Sequence, residues 1–181
     1  MSIAPGSSTP HDPHAAHDTR RPRGLDRTTL LLAVTALVCV GAVGAALVSQ
    51  HMFGMEPCPW CILQRIVFIA IALACDVGLL WRSPLGRRVA GALMLALSAC
   101  GAAAALWQHF KAAASASCNF TLADKVIVSM NLDGLLPEIF QPRASCADAA
   151  VNLLGVPYEF WSLLLFIAIG AVAARLVVRG R

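Results

Sequence analysis

Charge is what this chain has least of. Only 13% of its 181 residues are charged, against 58% apolar, whereas a soluble domain carries about 25% charged residues. That shortage excludes an ordinary soluble globule. Two long stretches, 30–48 and 89–107, contain no charged residue at all. A third, 62–81, is apolar except for Gln64, Arg65 and Asp76, and a fourth, 160–178, carries only Arg175. Each is close to the roughly 20 apolar residues that cross a bilayer. Lipid offers backbone groups no partner, so such runs are helical. The sequence therefore predicts an all-α, polytopic membrane protein: a four-transmembrane-helix bundle with helices at about 30–48, 62–81, 89–110 and 160–178. A long loop, 111–159, joins helices three and four. No part of the chain suggests nucleic-acid binding.

Basic residues are scarce on one side of this bundle. Ten of the fourteen, Arg20, Arg21, Arg23, Arg27, Arg82, Arg87, Arg88, Arg175, Arg179 and Arg181, fall at the ends that share a face. The long loop has Lys111, Lys125 and Arg143. The positive-inside rule puts both termini in the cytoplasm and the segments 49–61 and 111–159 outside. "TRRPRGLDR" gives little support to a twin-arginine export signal, so the first helix is expected to be uncleaved. Residues 1–27 lack an apolar face and are expected to form a disordered cytoplasmic tail, with 28–178 as the membrane domain and 179–181 as a second short tail. His11, His14 and His17 could grip a metal, but no Cys or second cluster completes the site, which favours a solvated tail.

The topology sorts the seven cysteines. Cys39, Cys75 and Cys100 lie within spans, where a thiol acts as a small hydrophobe. Cys58, Cys61, Cys118 and Cys146 all fall on the outer side, where an even number of cysteines reads as disulfides. They could be static staples or metal ligands. A metal site would more often show two close pairs, and a Cys-x-x-Cys staple closes too small a ring to constrain the unfolded chain much. "CPWC" at 58–61 is more typical of redox chemistry. Pro59 suits the first turn of a helix, so helix two is expected to begin within the motif, where a helix N-terminus lowers thiol pKa values.

Arg65 lies one turn past Cys61 on the same helix face. An arginine in a span either snorkels or serves a site, and its position alone leaves both open. "WQHF", 107–110, ends helix three at the same membrane depth. A dithiol, the Arg65 guanidinium and the His109 imidazole could then meet where the head of a lipid-soluble quinone would sit, with both side chains donating to its oxygens as charge develops. Asp76 lies deeper and reads as paired or solvated.

At these residues the chain resembles a known family, the bacterial disulfide bond formation protein B family. The matching stretches are "QHMFGMEPCPWCILQR" (50–65), "WQHF" (107–110), "LDGLLPEIFQP" (132–142), "LGVPYEFWSLL" (154–164) and the two loop cysteines. The resemblance covers roughly residues 28 to 178. It implies a quinone-dependent protein thiol–disulfide oxidoreductase of the bacterial inner membrane. Cys118 and Cys146 would form the loop pair, Cys118 being attacked by a periplasmic, DsbA-like thiol oxidase. Cys146 would exchange with Cys58, Cys61 would react with ubiquinone or menaquinone, and Arg65 and His109 would contact that quinone. The energetics fit, since the partner's potential of about −120 mV calls for a strong acceptor. A vitamin K epoxide reductase type is disfavoured, because its Cys-x-x-Cys sits near the end of the bundle. A metal-binding or transport protein using Cys and His is the alternative from another class.

Overall fold

A computed structural model describes residues 26–114 and 121–179. Four long helices dominate it: α1 (Arg27–Phe53), α2 (Pro59–Leu80), α3 (Pro84–Trp107) and α7 (Tyr158–Arg179). All four are long and apolar enough to cross a membrane. The chain is thus an all-α, multi-pass membrane protein. Among the described residues the only strands are β1 (Asn152–Leu153) and β2 (Val156–Pro157), a two-residue-per-strand hairpin that leads into α7. Residues 1–25, with His11, His14 and His17, lie outside the described residues, as does Cys118.

The helices start before their apolar stretches, because capping sets their ends. The Asp26 side chain accepts the Thr28 amide to start α1, and Gly54, at φ 63°, ends it in the left-handed conformation that glycine adopts freely. Ser83 caps α3 through the Gly86 amide, with Pro84 following in the first turn. Asp26 also pairs with Arg87, and the Arg87 Nη2 donates to Thr29 Oγ1 at 3.2 Å. These contacts fasten the start of α1 to the start of α3 at the arginine-rich end of the bundle.

α2 is the central element, packed between α1 and α3, while α3 also packs along α7. The core gathers Leu32, Phe68, Ile71, Cys75, Met94, Phe166 and Ala173. Lipid tails are as apolar as leucine, so this packing depends on close fit and not on escape from water. Phe68 and Phe166 stack with centroids 4.2 Å apart, and Gly101 lies so close that a Cβ there would come within 2.4 Å of the Phe166 ring. Outward faces stay apolar: Leu37, Val40, Leu73, Leu93, Leu164 and Ile167 are all exposed. A soluble monomer rarely shows apolar surface on that scale; here the lipid covers it.

Between α3 and α7 the chain is partly helical. A π-helical turn (Gln108–Ala112) continues α3, and α4 (Leu122–Ser129), α5 (Leu132–Leu135) and α6 (Pro137–Phe140) follow. α4 opens on a capping box in which Thr121 and Asp124 satisfy each other's backbone amides. Its buried residues, Ala123 and Ile127, pack against the outer part of α2. Residues 132–140 are two short helical turns separated by Leu136.

Candidate active site

The site is built around the first turn of α2. Cys58 is the N-cap residue, its sulfur accepting the Cys61 amide at 3.4 Å. The Cys58 and Cys61 sulfurs are 3.0 Å apart. A second strand of chain closes over them: the Arg143 and Ala144 amides both donate to Pro57 O, at 3.0 and 3.4 Å. A turn capped by Ser145, whose hydroxyl bonds Asp148 at 2.6 Å, then carries Cys146 against the motif. Cys58 ends fully buried, at 0% exposure, in one cluster with Cys61, Trp60 and Cys146.

That burial reverses one expectation. A helix N-terminus should have lowered the Cys58 pKa, yet hydrogen bonds to Cys146 and Cys61, together with desolvation, push it up. Cys146 moves the other way: its hydrogen bond with Cys58 is the chief cause of a lowered value, opposed by burial. The contact thus biases Cys58 toward its protonated form and Cys146 toward its ionised form. Of the four outer cysteines, the structure brings Cys58, Cys61 and Cys146 together.

Cys61 opens onto a cavity of about 260 Å³ between α1, α2 and α7, which Arg65, Gln64, Gln108, Glu159 and Phe68 also line. Its inner wall is apolar, with Ala42, Ala45 and Leu165, and its polar groups lie at the cysteine end. Arg65 is 6% exposed and does not reach out to solvent. Its Nη1 donates to Gln50 Oε1 at 2.8 Å and to Ile139 O at 2.9 Å. Gln50 Nε2 in turn donates to Glu138 O at 3.2 Å, so one clamp joins α1, α2 and α6. Gln64 donates to Gln108 at 2.7 Å, and Gln108 Nε2 points at the Cys61 sulfur at 3.3 Å.

His109 sits one residue away from that contact. It is not among the residues lining the cavity; its Nδ1 meets Glu159 Oε1 at 2.7 Å, and Glu159 does line it. Phe110 and Phe160 hold the imidazole edge-on, with centroids 4.9 and 4.7 Å away. The π turn accounts for this division. Its wider i→i+5 step turns Gln108 inward, where it is buried, and leaves the His109 side chain 32% exposed.

The family model described as "Disulfide bond formation protein DsbB" matches residues 27–176. The chain belongs to the disulfide bond formation protein B family. Among its relatives, "Disulfide bond formation protein B" of Aromatoleum aromaticum is 35% identical over 148 residues, 80% of this chain and 89% of the relative. The protein of the same description from Polaromonas naphthalenivorans is 32% identical over 158 residues, 86% and 94% of the two chains. "Disulfide bond formation protein B 1" of Pseudomonas fluorescens is 30% identical over 161 residues, covering 87% and 94%. Membership makes the chain a membrane protein of disulfide bond formation, with thiol–disulfide oxidoreductase chemistry.

Three residues of this member's site, Gln50, Gln108 and Glu159, are not singled out by sequence reasoning. All three fall inside the stretches that resemble the family, and an acid at the start of an apolar run was a usable signal for Glu159. Among the described residues, no three His, Cys, Asp or Glu side chains converge to hold a metal ion.

Proposed function

We propose that this chain reoxidises a periplasmic, DsbA-like thiol oxidase and passes the electrons to a membrane quinone, ubiquinone or menaquinone. The partner's two thiols become a disulfide, and the quinone takes up two electrons and two protons. On this reading the protein lies in the bacterial inner membrane with both termini cytoplasmic, as the arginine distribution argues. Cys118 and Cys146 form the pair that meets the partner. Cys146 then attacks the Cys58 sulfur of a Cys58–Cys61 disulfide, which frees Cys61 as the leaving thiolate.

The observation that carries the reading is the placement of Cys58. It is shut off from solvent, 3.0 Å from Cys61 and packed in one cluster with Cys146. Exchange at such a sulfur is confined to those two neighbours. The cavity fits the head of a quinone in its chemistry: apolar walls, polar groups at one end, and the Cys61 sulfur on its lining. Its volume of about 260 Å³ is at the small end for ligand sites and suits a ring more than a whole lipid. A bound quinone would supply a two-electron acceptor. Arg65 would hold negative charge on the acceptor side of Cys61, and Gln108 would orient the Cys61 sulfur.

The test uses the full chain in liposomes with a reduced DsbA-like thiol oxidase and a short-chain ubiquinone or menaquinone. Quinone loss should match partner oxidation one for one. Serine at Cys58, Cys61, Cys118 or Cys146 should each stop multiple turnover. Sustained turnover in any of the four would overturn the relay.

A further inference from the structure

We propose that Glu159 is the acid that protonates the acceptor in the cavity beside Cys61, and that His109 recharges it from the outer aqueous side. The proposal rests on the quinone reading above and extends it to the protons.

Glu159 sits in the first turn of α7 with its side chain only 6% exposed. A buried carboxylate is unfavourable unless paired, and an ionisable group at a membrane span marks a functional site by default. Its one partner among the described hydrogen bonds is His109 Nδ1, at 2.7 Å. The two residues face different surroundings. Glu159 lines the cavity that holds Cys61 and Arg65, whereas His109 does not line it and is 32% exposed. Phe110 and Phe160 fix the imidazole between them. A bond made only to fasten the π turn to α7 needs no acid, since a glutamine would accept from His109 equally well. The acid matters if a proton has to cross from water to the cavity.

The placement of the thiols calls for such a crossing: Cys61 lines the cavity, whereas Cys58 does not and is buried beside Cys146, so its proton has no direct path to the acceptor. Oxidation of the Cys58–Cys61 dithiol forms one S–S bond and releases two electrons and two protons. The acceptor gains both electrons and forms two O–H bonds. One proton passes directly from the dithiol, and the other dithiol proton is lost to water. Glu159 supplies the second O–H proton, takes one back from protonated His109, and His109 takes its own from water. Net proton uptake is zero. The titratable groups around Glu159 are His109 from the π turn, Cys61 and Arg65 from α2, and Tyr158 on α7 itself; α1 contributes none to the cavity.

The experiment compares wild type with Glu159→Gln, which keeps the shape and the acceptor for His109 but holds no proton. The readout is steady-state reduction of a short-chain ubiquinone by the full chain in liposomes, across pH. Loss of a general acid lowers rate about a hundredfold or more. The expected result is that fall in kcat, an unchanged quinone KM, loss of the acid-dependent limb of the pH profile, and partial rescue by formate. Glu159→Asp should be slower than wild type but keep the limb. Quinone-free, single-turnover oxidation of the partner should proceed normally in both variants, which shows that they are folded. A Glu159→Gln kcat within twofold of wild type, or a loss that formate does not relieve and that single turnover shares, would overturn the proposal. A wild-type chain that oxidises its partner but reduces no quinone would instead refute the parent reading, and this one with it.

Discussion

Replacing Gln50 by Leu should loosen the acceptor site and the loop above it by separable amounts. Gln50 accepts from Arg65 Nη1 at 2.8 Å and donates to Glu138 O at 3.2 Å. Leucine fills the space and does neither. The Arg65 guanidinium then keeps Ile139 O, at 2.9 Å, as its described partner. A hydrogen bond to a charged group contributes about 1.5–3 kcal/mol and a neutral one about 0.5–1.5 kcal/mol. If the first loss falls on acceptor binding, the quinone KM rises about tenfold to a hundredfold. If the second falls on local opening of α6, amide exchange across residues 137–143 speeds up about twofold to tenfold. Gln50→Glu separates the two, because a carboxylate still accepts from Arg65 but cannot donate to Glu138 O; it should restore the KM and leave exchange fast. The assays are initial rates against quinone concentration at saturating reduced partner, and hydrogen exchange read by mass spectrometry. A Gln50→Leu protein with both quantities within twofold of wild type would refute the idea that this clamp sets the position of Arg65.

Arg65→Lys should raise the quinone KM and Arg65→Ala should raise it further, because the planar guanidinium fork cannot be copied by a point charge; the KM for the partner protein should hardly move. Gly101→Ala should destabilise the bundle by about 1–3 kcal/mol through overpacking, seen as a lower melting temperature in detergent, since the new methyl would lie 2.4 Å from the Phe166 ring. Cys146 in the reduced chain should alkylate at lower pH than an ordinary thiol, and in Cys58→Ala the profile should move up, because the lowering hydrogen bond is lost while burial remains. The sign for stability follows: folding lowers this pKa, so the ionised thiol stabilises the fold at high pH, and that contribution is lost as pH falls through the lowered value.

The four spans are legible because the solvent is lipid. A charge-free stretch such as 89–107 has no other stable conformation there. What could not be read depends on contacts between distant segments. Cys58 looks solvent-facing at a helix start, and only the two amides of Arg143 and Ala144 bonding Pro57 O reveal that residues 143–146 cover it. That Gln108 and not His109 lines the cavity turns on one π step, which leaves no trace in a 3.6-residue pattern. α4 had a local signal, the Thr121-x-x-Asp124 box, but its short apolar face, Ala123 and Ile127, is too small to show as periodicity. Arg65 was open between snorkelling and serving a site, and its bonds to Gln50 and Ile139 O depend on how α1 and α6 pack beside α2, which no local pattern shows.

Burial of Cys58 has a consequence for how the proposed relay avoids short circuits. An exposed Cys58–Cys61 disulfide would be open to any periplasmic dithiol, and the quinone would then oxidise thiols without selection. Covered by residues 143–146, the Cys58 sulfur is reached from one direction by Cys146 and from the other by Cys61. Holding reactants together in this way replaces a bimolecular encounter with an intramolecular step of high effective molarity. The opposed pKa shifts act in the same sense: Cys146, which would be the attacking thiol, is lowered, while Cys58, which would be passed between partners, is raised. In the proposed relay, selection of the outside partner would rest on the Cys118 and Cys146 pair, and access to the acceptor on Cys61. Neither end needs to recognise the other's substrate, because the two are joined only through a sulfur that neither substrate can touch.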